Sequence, residues 1–335
     1  MKRQPLNLIL SLVTIVALFV FLVYAQRNFN AYVLRIMNLC AVYTILSVSL
    51  NLINGFTGQF SLGHAGFMAV GAYATAILTL SPALKVKIYF ITPIITPLSQ
   101  VEMSFLPALL IGGLLAALCG FIIGVPTLRL KGDYLAVATL GFSEIIRVVF
   151  INLQTITNGA LGLKDIPGYT NLYWSWGWAV FTVFCIKRLV DSSYGRAFKG
   201  IRENEVAAEA MGINLFAHKI LSFIVGSFFA GVGGGLLANL ITTIDPKMFV
   251  PVLTYQILMI IVVGGLGSIS GSVVAACIFA ISMETLRPLD NVVPGLRMVF
   301  FSVALLVVIL FARQGLMGNK EFSWNWIFRR RIAHG

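Results

Sequence analysis

Charge is what this sequence has least of. Asp, Glu, Lys and Arg make up 11% of its 335 residues, where a soluble globular domain carries roughly 25%. A water-soluble fold of this size is excluded, because its exterior must be solvated. Cysteine is scarce too: Cys40, Cys119, Cys185 and Cys277 each sit inside an apolar stretch, and no CxxC pair occurs. They read as small buried hydrophobes, not as a disulfide framework or a metal site. A phosphate-binding loop is missing, since the glycine-rich stretches at 231–235 and 264–271 lack the lysine it needs. The chain is therefore not expected to hydrolyse ATP itself or to bind a cofactor of its own. No Ser/His/Asp constellation, metal-binding helix or paired carboxylates emerge, so an enzyme reading has no footing. Basic residues exceed acidic ones, 24 to 12, but they lie between apolar runs and at both ends. That distribution is an orientation signal and not a nucleic-acid patch.

Apolar residues are what is there: 59% are hydrophobic and 31 are glycine. Ten membrane-spanning helices of about 20 residues would consume nearly all of them. The expected fold is an all-α polytopic membrane bundle, a single domain over 1–335. Spans are expected near 6–25, 31–53, 59–80, 104–125, 133–151, 172–190, 219–241, 251–265, 270–286 and 297–313. The third opens with polar residues and glycines, which predicts a broken or partly re-entrant element. The first follows Lys2 and Arg3 and ends Val23-Tyr24-Ala25, faintly like a signal-peptide cleavage site, but its apolar run exceeds the usual signal core. With the N-terminus in the cytoplasm and strict alternation, 15 basic residues face inward. They are Lys2, Arg3, Arg129, Lys131, Lys187, Arg188, Arg196, Lys199, Arg202, Lys219, Arg313, Lys320 and Arg329 to Arg331. Seven face outward: Arg27, Lys85, Lys87, Lys164, Lys247, Arg287 and Arg297. Inner loops favour Lys and Arg, so both termini are expected inside.

Within the spans, Gly112, Ala116, Gly120 and Gly124 recur every fourth residue, a flat ridge for close helix packing; Gly231-x-x-x-Gly235 and Gly267-x-x-x-Gly271 repeat the device. An internal echo pairs Gly55-x-x-Gly58-x-x-Ser61 with Gly264-x-x-Gly267-x-x-Ser270; it is either a repeat of the kind transporters are built from or a chance alignment of glycine-rich stretches. From Asn54 to Gly66, polar side chains and four glycines stand where an apolar helix should begin. Two readings stay open there. Gly58, Gln59, Ser61, Gly63 and His64 shape or line a solute path, or the turn lies at the interface and His64 is a structural histidine. Glu144 and Arg147 share one helical face, either as a mutually neutralising pair or as an ion-coupling site.

The longest polar segment expected inside is 191–218. Its composition predicts a short helix from Glu203 to Met211 stopped by Gly212. Ile201, Val206, Ala207, Ala210 and Met211 give it an apolar side that would seat in a partner's groove. The alternative is a solvated connector. This loop resembles the coupling motif of ATP-binding-cassette importer permeases, Glu-Ala-Ala, three residues, then Gly. Here Val206-Ala207-Ala208 and Gly212 hold those positions, with Glu205 one residue early. Leu50-Asn51-Leu52 through His64, Leu128-Arg129-Leu130-Lys131-Gly132-Asp133-Tyr134, and Gly195-Arg196-Ala197-Phe198 through Gly212 are similar to the LivM-like permeases of branched-chain amino acid importers. The similarity runs from about 35 to 315.

The resemblance implies a subunit in a bacterial or archaeal cytoplasmic membrane, importing branched-chain amino acids. Its partners would be a second related permease, two cytoplasmic ATPases that use the ATP, an external solute-binding protein and membrane lipid. The coupling residues would be Gly195, Arg196, Arg202, Glu205, Ala207, Ala208 and Gly212. Permeases of this family for urea, short amides or other amino acids are the near alternative. An ion-coupled secondary transporter using Glu144, Arg147 or Glu284, or a passive channel, is the alternative of another class.

Overall fold

The computed structural model describes residues 4–130 and 132–291, with 295, 296, 299, 300, 302, 303, 306, 310, 315–318 and 321. The expected span 297–313 lies largely outside these residues. So do Lys2, Arg3, Lys131, Arg297, Arg313, Lys320 and Arg329 to Arg331. Among the described residues the structure is helical, with one isolated antiparallel bridge, Leu163 to Ile244.

The apolar runs form helices within a few residues of the expected bounds. They are α1 (Gln4–Asn28), α2 (Ala31–Asn51, continued by a π turn, Leu52–Phe56), α3 (His64–Thr79) and α4 (Pro82–Ile88). There follow α5 (Phe105–Thr127), α6 (Asp133–Asn152), α7 (Gln154–Thr157), α8 (Leu172–Val190), α9 (Ser193–Glu203) and α10 (Glu205–Ala210). The last three are α11 (Leu215–Ile241), α12 (Pro251–Gly264) and α13 (Ile269–Thr285). Ala31–Phe56, α5, α6 and α11 are each long and apolar enough to cross a membrane. α3 and α4 form a fifth such unit, bent by 118°. The bend has a local cause: Ser81 precedes a proline and is extended, and Pro82 opens the next helix,. α12 and α13 are shorter; 14 residues at 1.5 Å each give α12 roughly 21 Å, less than a bilayer core,.

α11 is the centre of the bundle, packed against α2, α3 and α5. The contact is close because glycine meets backbone: a Cβ on Gly71 of α3 would stand 2.1 Å from the Gly231 carbonyl oxygen of α11. The predicted ridge of α5 fits the same seam, Ala116 against Gly231 and Gly120 against Ser227. The third expected ridge is corrected. Gly267 sits in the turn between α12 and α13, so Gly267 and Gly271 do not share a helix face; Gly271 packs on Gly264 instead. The four cysteines are free thiols.

At one end, loops cap the bundle by polar bonds. Leu163 and Ile244 exchange N–H···O bonds of 2.8 and 2.9 Å. The Lys85 ammonium donates to the Leu98 and Val101 carbonyls at 2.8 and 2.5 Å. The opposite end gathers the close of α2, the close of α8, α9, α10, the start of α11 and the α12–α13 turn.

Candidate functional site

α2 does not finish as an α-helix. Its last turn widens into the π turn Leu52–Phe56, and Gly58 then takes a left-handed φ of +73°. The chain runs non-helically to Gly63 before α3 begins. This matches the expected break at the opening of the third span. His64, the first residue of α3, places Nε2 3.1 Å from the Ser49 hydroxyl. His64 at the start of α3 therefore reaches back to Ser49, inside the last turns of α2, and residues 57–63 climb back along the bundle.

Helix ends leave carbonyls without intrahelical partners, and three of them are met here. Thr57 donates to Leu52 O through both its N–H and its hydroxyl, and Gln59 N–H donates to Ile53 O. The Gly55 oxygen accepts from Arg202. The climbing segment is tied down from all sides. Asn54 exchanges bonds with the Ser61 backbone, Leu62 N–H donates to the Thr139 hydroxyl of α6, and Gln59 Nε2 donates to Lys219 O and Ser222 Oγ of α11. Gln59, Ser61 and His64 are 3%, 1% and 1% exposed. Their side chains point into this chain's own packing, while Gly58 and Phe60 are at the surface.

The polar loop holds two helices where the sequence predicted one from Glu203 to Met211. Asn204 interrupts: its backbone is extended, and its side chain caps α10 by accepting from Ala207 N–H at 3.0 Å. Glu203 therefore ends α9. α9 is anchored by Phe198 and Ile201, both buried, with His218 of α11 stacked near Tyr194 and Phe198. Gly195 lies so close to the Val190 carbonyl that no side chain fits. Arg196 is exposed on the other face.

In α10, Ala208 faces inward, whereas Ala207, Val206 and Met211 are exposed, the last two at 76% and 82%. Gly212 ends the helix as expected, with φ +81°. Its N–H donates to Glu209 O, and Ile213 N–H donates to Ala208 O, the paired bonds of a left-handed helix stop,. Glu205 forms a 2.6 Å ion pair with Lys219 of α11. Arg202 donates through Nη1 to Gly55 O at 3.0 Å and through Nε and Nη2 to the Glu203 carboxylate at 3.2 and 2.7 Å.

The structure thus brings together two groups far apart in the sequence: the 57–64 segment and the 195–212 pair, joined through α11 and Arg202. It also adds residues that sequence reasoning did not single out. Asn51 donates through Nδ2 to Ser268 O and the Ser272 hydroxyl and accepts from Gly267 N–H, all at 2.8–2.9 Å. Asn204 and Lys219 are the others. The N-cap signal of Asn204, three residues before Ala207, was readable; the partners of Asn51, more than 200 residues away, were not.

Away from this cluster, Glu144 and Arg147 bind each other at 2.7 Å. Glu284 lies 3.5 Å from Arg287. Each carboxylate already faces a cation, which favours mutual neutralisation over a free ion-coupling group.

A family model described as the permease component of branched-chain amino acid transport systems matches residues 32–310. The high-affinity branched-chain amino acid transport permease LivM of Escherichia coli (strain K12) is 30% identical over 84% of this chain and 69% of its own length. The permease LivH of the same strain is 22% identical over 90% of this chain and 97% of its own length. A nucleoside ABC transporter permease, NupC of Lactococcus lactis, is 22% identical over 55% of this chain and 60% of its own. No solved structure gives a significant match.

Proposed function

We propose, from the premise that this chain belongs to the branched-chain amino acid transport permease family, that it is a membrane subunit of an importer driven by partner ATPases and carries branched-chain amino acids. The observation that carries the coupling assignment is the α9–α10 pair. Val206 and Met211 are almost fully exposed on a short capped helix that packs on α9 and α11. Exposed apolar side chains on a rigid two-helix prong fit a groove in a second protein.

In this reading Ala207 and Gly212 form the docking surface with Val206 and Met211, and the inward-facing Ala208 seats α10 on the bundle. Gly195 seats the prong on α8, and Glu205 ties it to α11; Arg196 lies on the exposed side. Two cytoplasmic ATPases use the ATP, a second related permease completes the membrane unit, and a solute-binding protein delivers substrate from outside. The chain binds no cofactor of its own, and the prong and both termini face the cytoplasm. The segment Gly58, Gln59, Ser61, Gly63 and His64 shapes the path by holding α3 back from the inner membrane surface, its polar side chains bracing the break.

The test is copurification with the ATPases and leucine uptake for Ala207→Glu, a change at an exposed position that leaves the interior intact. Loss of both supports the assignment. Retention of both removes it, and uptake by vesicles holding this chain alone, driven by an ion gradient without ATP, replaces it with a secondary transporter.

A further inference from the structure

Two turns with the same spelling close around one side chain. In the echo of Gly55-x-x-Gly58 and Gly264-x-x-Gly267, the second glycine of each copy is left-handed, φ +73° at Gly58 and +84° at Gly267. A Cβ at Gly58 would lie 2.9 Å from Cγ of Arg202, and one at Gly267 would lie 2.7 Å from its Nη1. A Cβ at Gly55 would reach within 2.5 Å of the Gly267 nitrogen. Gly58 thus leaves room for the aliphatic stem of Arg202 and Gly267 for its Nη1, while Gly55 leaves room for the Gly267 backbone and brings the two turns together. Both turns follow the C-terminal ends of helices, where unpaired carbonyls concentrate partial negative charge and a cation is favoured. One edge of the guanidinium holds Gly55 O, and the other holds Glu203. Asn51 bonds the two turns to each other directly.

We propose that Arg202 is the positioning residue through which movement of the α9–α10 prong reaches α2 and the α12–α13 turn together; the idea rests on the function proposed above. Arg202 sits at the last turn of the anchored helix α9, two residues before the extended Asn204, so it lies at the joint of the prong. A planar fork held on both edges passes on direction as well as displacement; a lysine, with a single rotatable charge, cannot keep both contacts in fixed geometry. α11 receives its share separately, through Glu205 and Lys219. One input then drives two outputs: the two echoing turns by Arg202, and the central helix by the ion pair.

The experiment uses the complete transporter, with partner subunits, in proteoliposomes. It reads radiolabelled leucine uptake per ATP hydrolysed, together with hydrogen exchange at residues 51–58 and 265–268. Arg202→Gln should lower uptake per ATP by about tenfold, a size typical of coupling residues, and raise exchange in both segments. Arg202→Lys should recover part of the loss. Gly267→Ala, which keeps the arginine but sets a methyl group against Nη1, should act in the same direction more weakly and covers the case in which Arg202→Gln fails to fold. Unchanged uptake per ATP overturns the proposal, as does exchange that rises in one segment alone or in neither. Dissociation of the ATPases by Arg202→Gln also overturns it, since Arg202 would then serve docking only. If the wild-type chain never associates with an ATPase, the proposed function fails, and the exchange result alone decides whether Arg202 couples the two turns.

Discussion

Nη1 of Arg202 donates to the carbonyl oxygen of Gly55 at 3.0 Å, across 147 residues of sequence. The bond joins the polar prong to a helix that is apolar for most of its length, and it does so where that helix has run out of its own N–H donors. Arg202 keeps about a quarter of its side chain exposed, so the contact is made at the edge of the bundle, where a cation need not be fully desolvated.

Gly71 and Gly231 test whether the bundle centre depends on backbone contact. A valine at position 71 meets the Gly231 carbonyl and not a side chain that can turn away. Gly71→Val should therefore cost more than the 1–3 kcal/mol typical of overpacking, roughly 3 kcal/mol or above. Thermal melting in detergent should show a clear fall in midpoint. Gly177→Ala, where an added Cβ meets nothing within 4 Å, should instead stabilise by about 0.5–1 kcal/mol, the gain of alanine over glycine in a helix.

Asn51 supplies three hydrogen bonds from α2, two to the α12–α13 turn and one to Ser272 in the first turn of α13. Asn51→Ala leaves the half-buried Gly267 N–H without its acceptor and should cost about 1–3 kcal/mol,. Ser272→Ala should cost less, about 0.5–1.5 kcal/mol, because Asn51 still holds Ser268 O. Equal losses for the two variants would show that the turn is not fixed by Asn51.

The Glu205–Lys219 pair is half open to water on the Glu side. Such pairs are worth about 0.2–1 kcal/mol and weaken with salt. Glu205→Lys should loosen α10, and the exchanged pair Glu205→Lys with Lys219→Glu should restore most of the effect at low ionic strength. Hydrogen exchange at residues 205–211 is the readout, and a double variant no better than the single one would dismiss the pair as a link to α11.

Gly212 holds a left-handed backbone angle that a branched residue adopts only at a cost of about 1–2 kcal/mol. Gly212→Val should fray α10 and raise exchange at Ala207 to Met211, whereas Gly212→Asn should be tolerated, since asparagine visits this region more readily.

Helix positions were legible because apolar runs punctuated by Gly and Pro record burial along the chain, and every described span stands close to where those runs predict it. The break before α3, the stop at Gly212 and the Glu144–Arg147 pair were legible for the same reason: each depends on neighbours within one or two turns. The break at Asn204 went unread although its cap was local, because the alanine-rich composition around it favours continuous helix. Asn51, Arg202 and Gly55 were beyond reach. Their partners lie far off in sequence, and no periodicity records which polar residue of one span meets which turn of another. The Gly55 and Gly264 echo held half of that information, the two turns, but not the side chain between them.

The wide turn at Leu52–Phe56 makes chain length matter there as much as chemistry. An α-helix rotates about 100° per residue, so shortening this stretch by a single residue would swing Gly55 around the helix axis and turn its oxygen away from Arg202. Conservative replacements in the segment leave that phase intact. Deletions and insertions reset it, and the inward-climbing chain up to His64 would have to find a new register against α6 and α11.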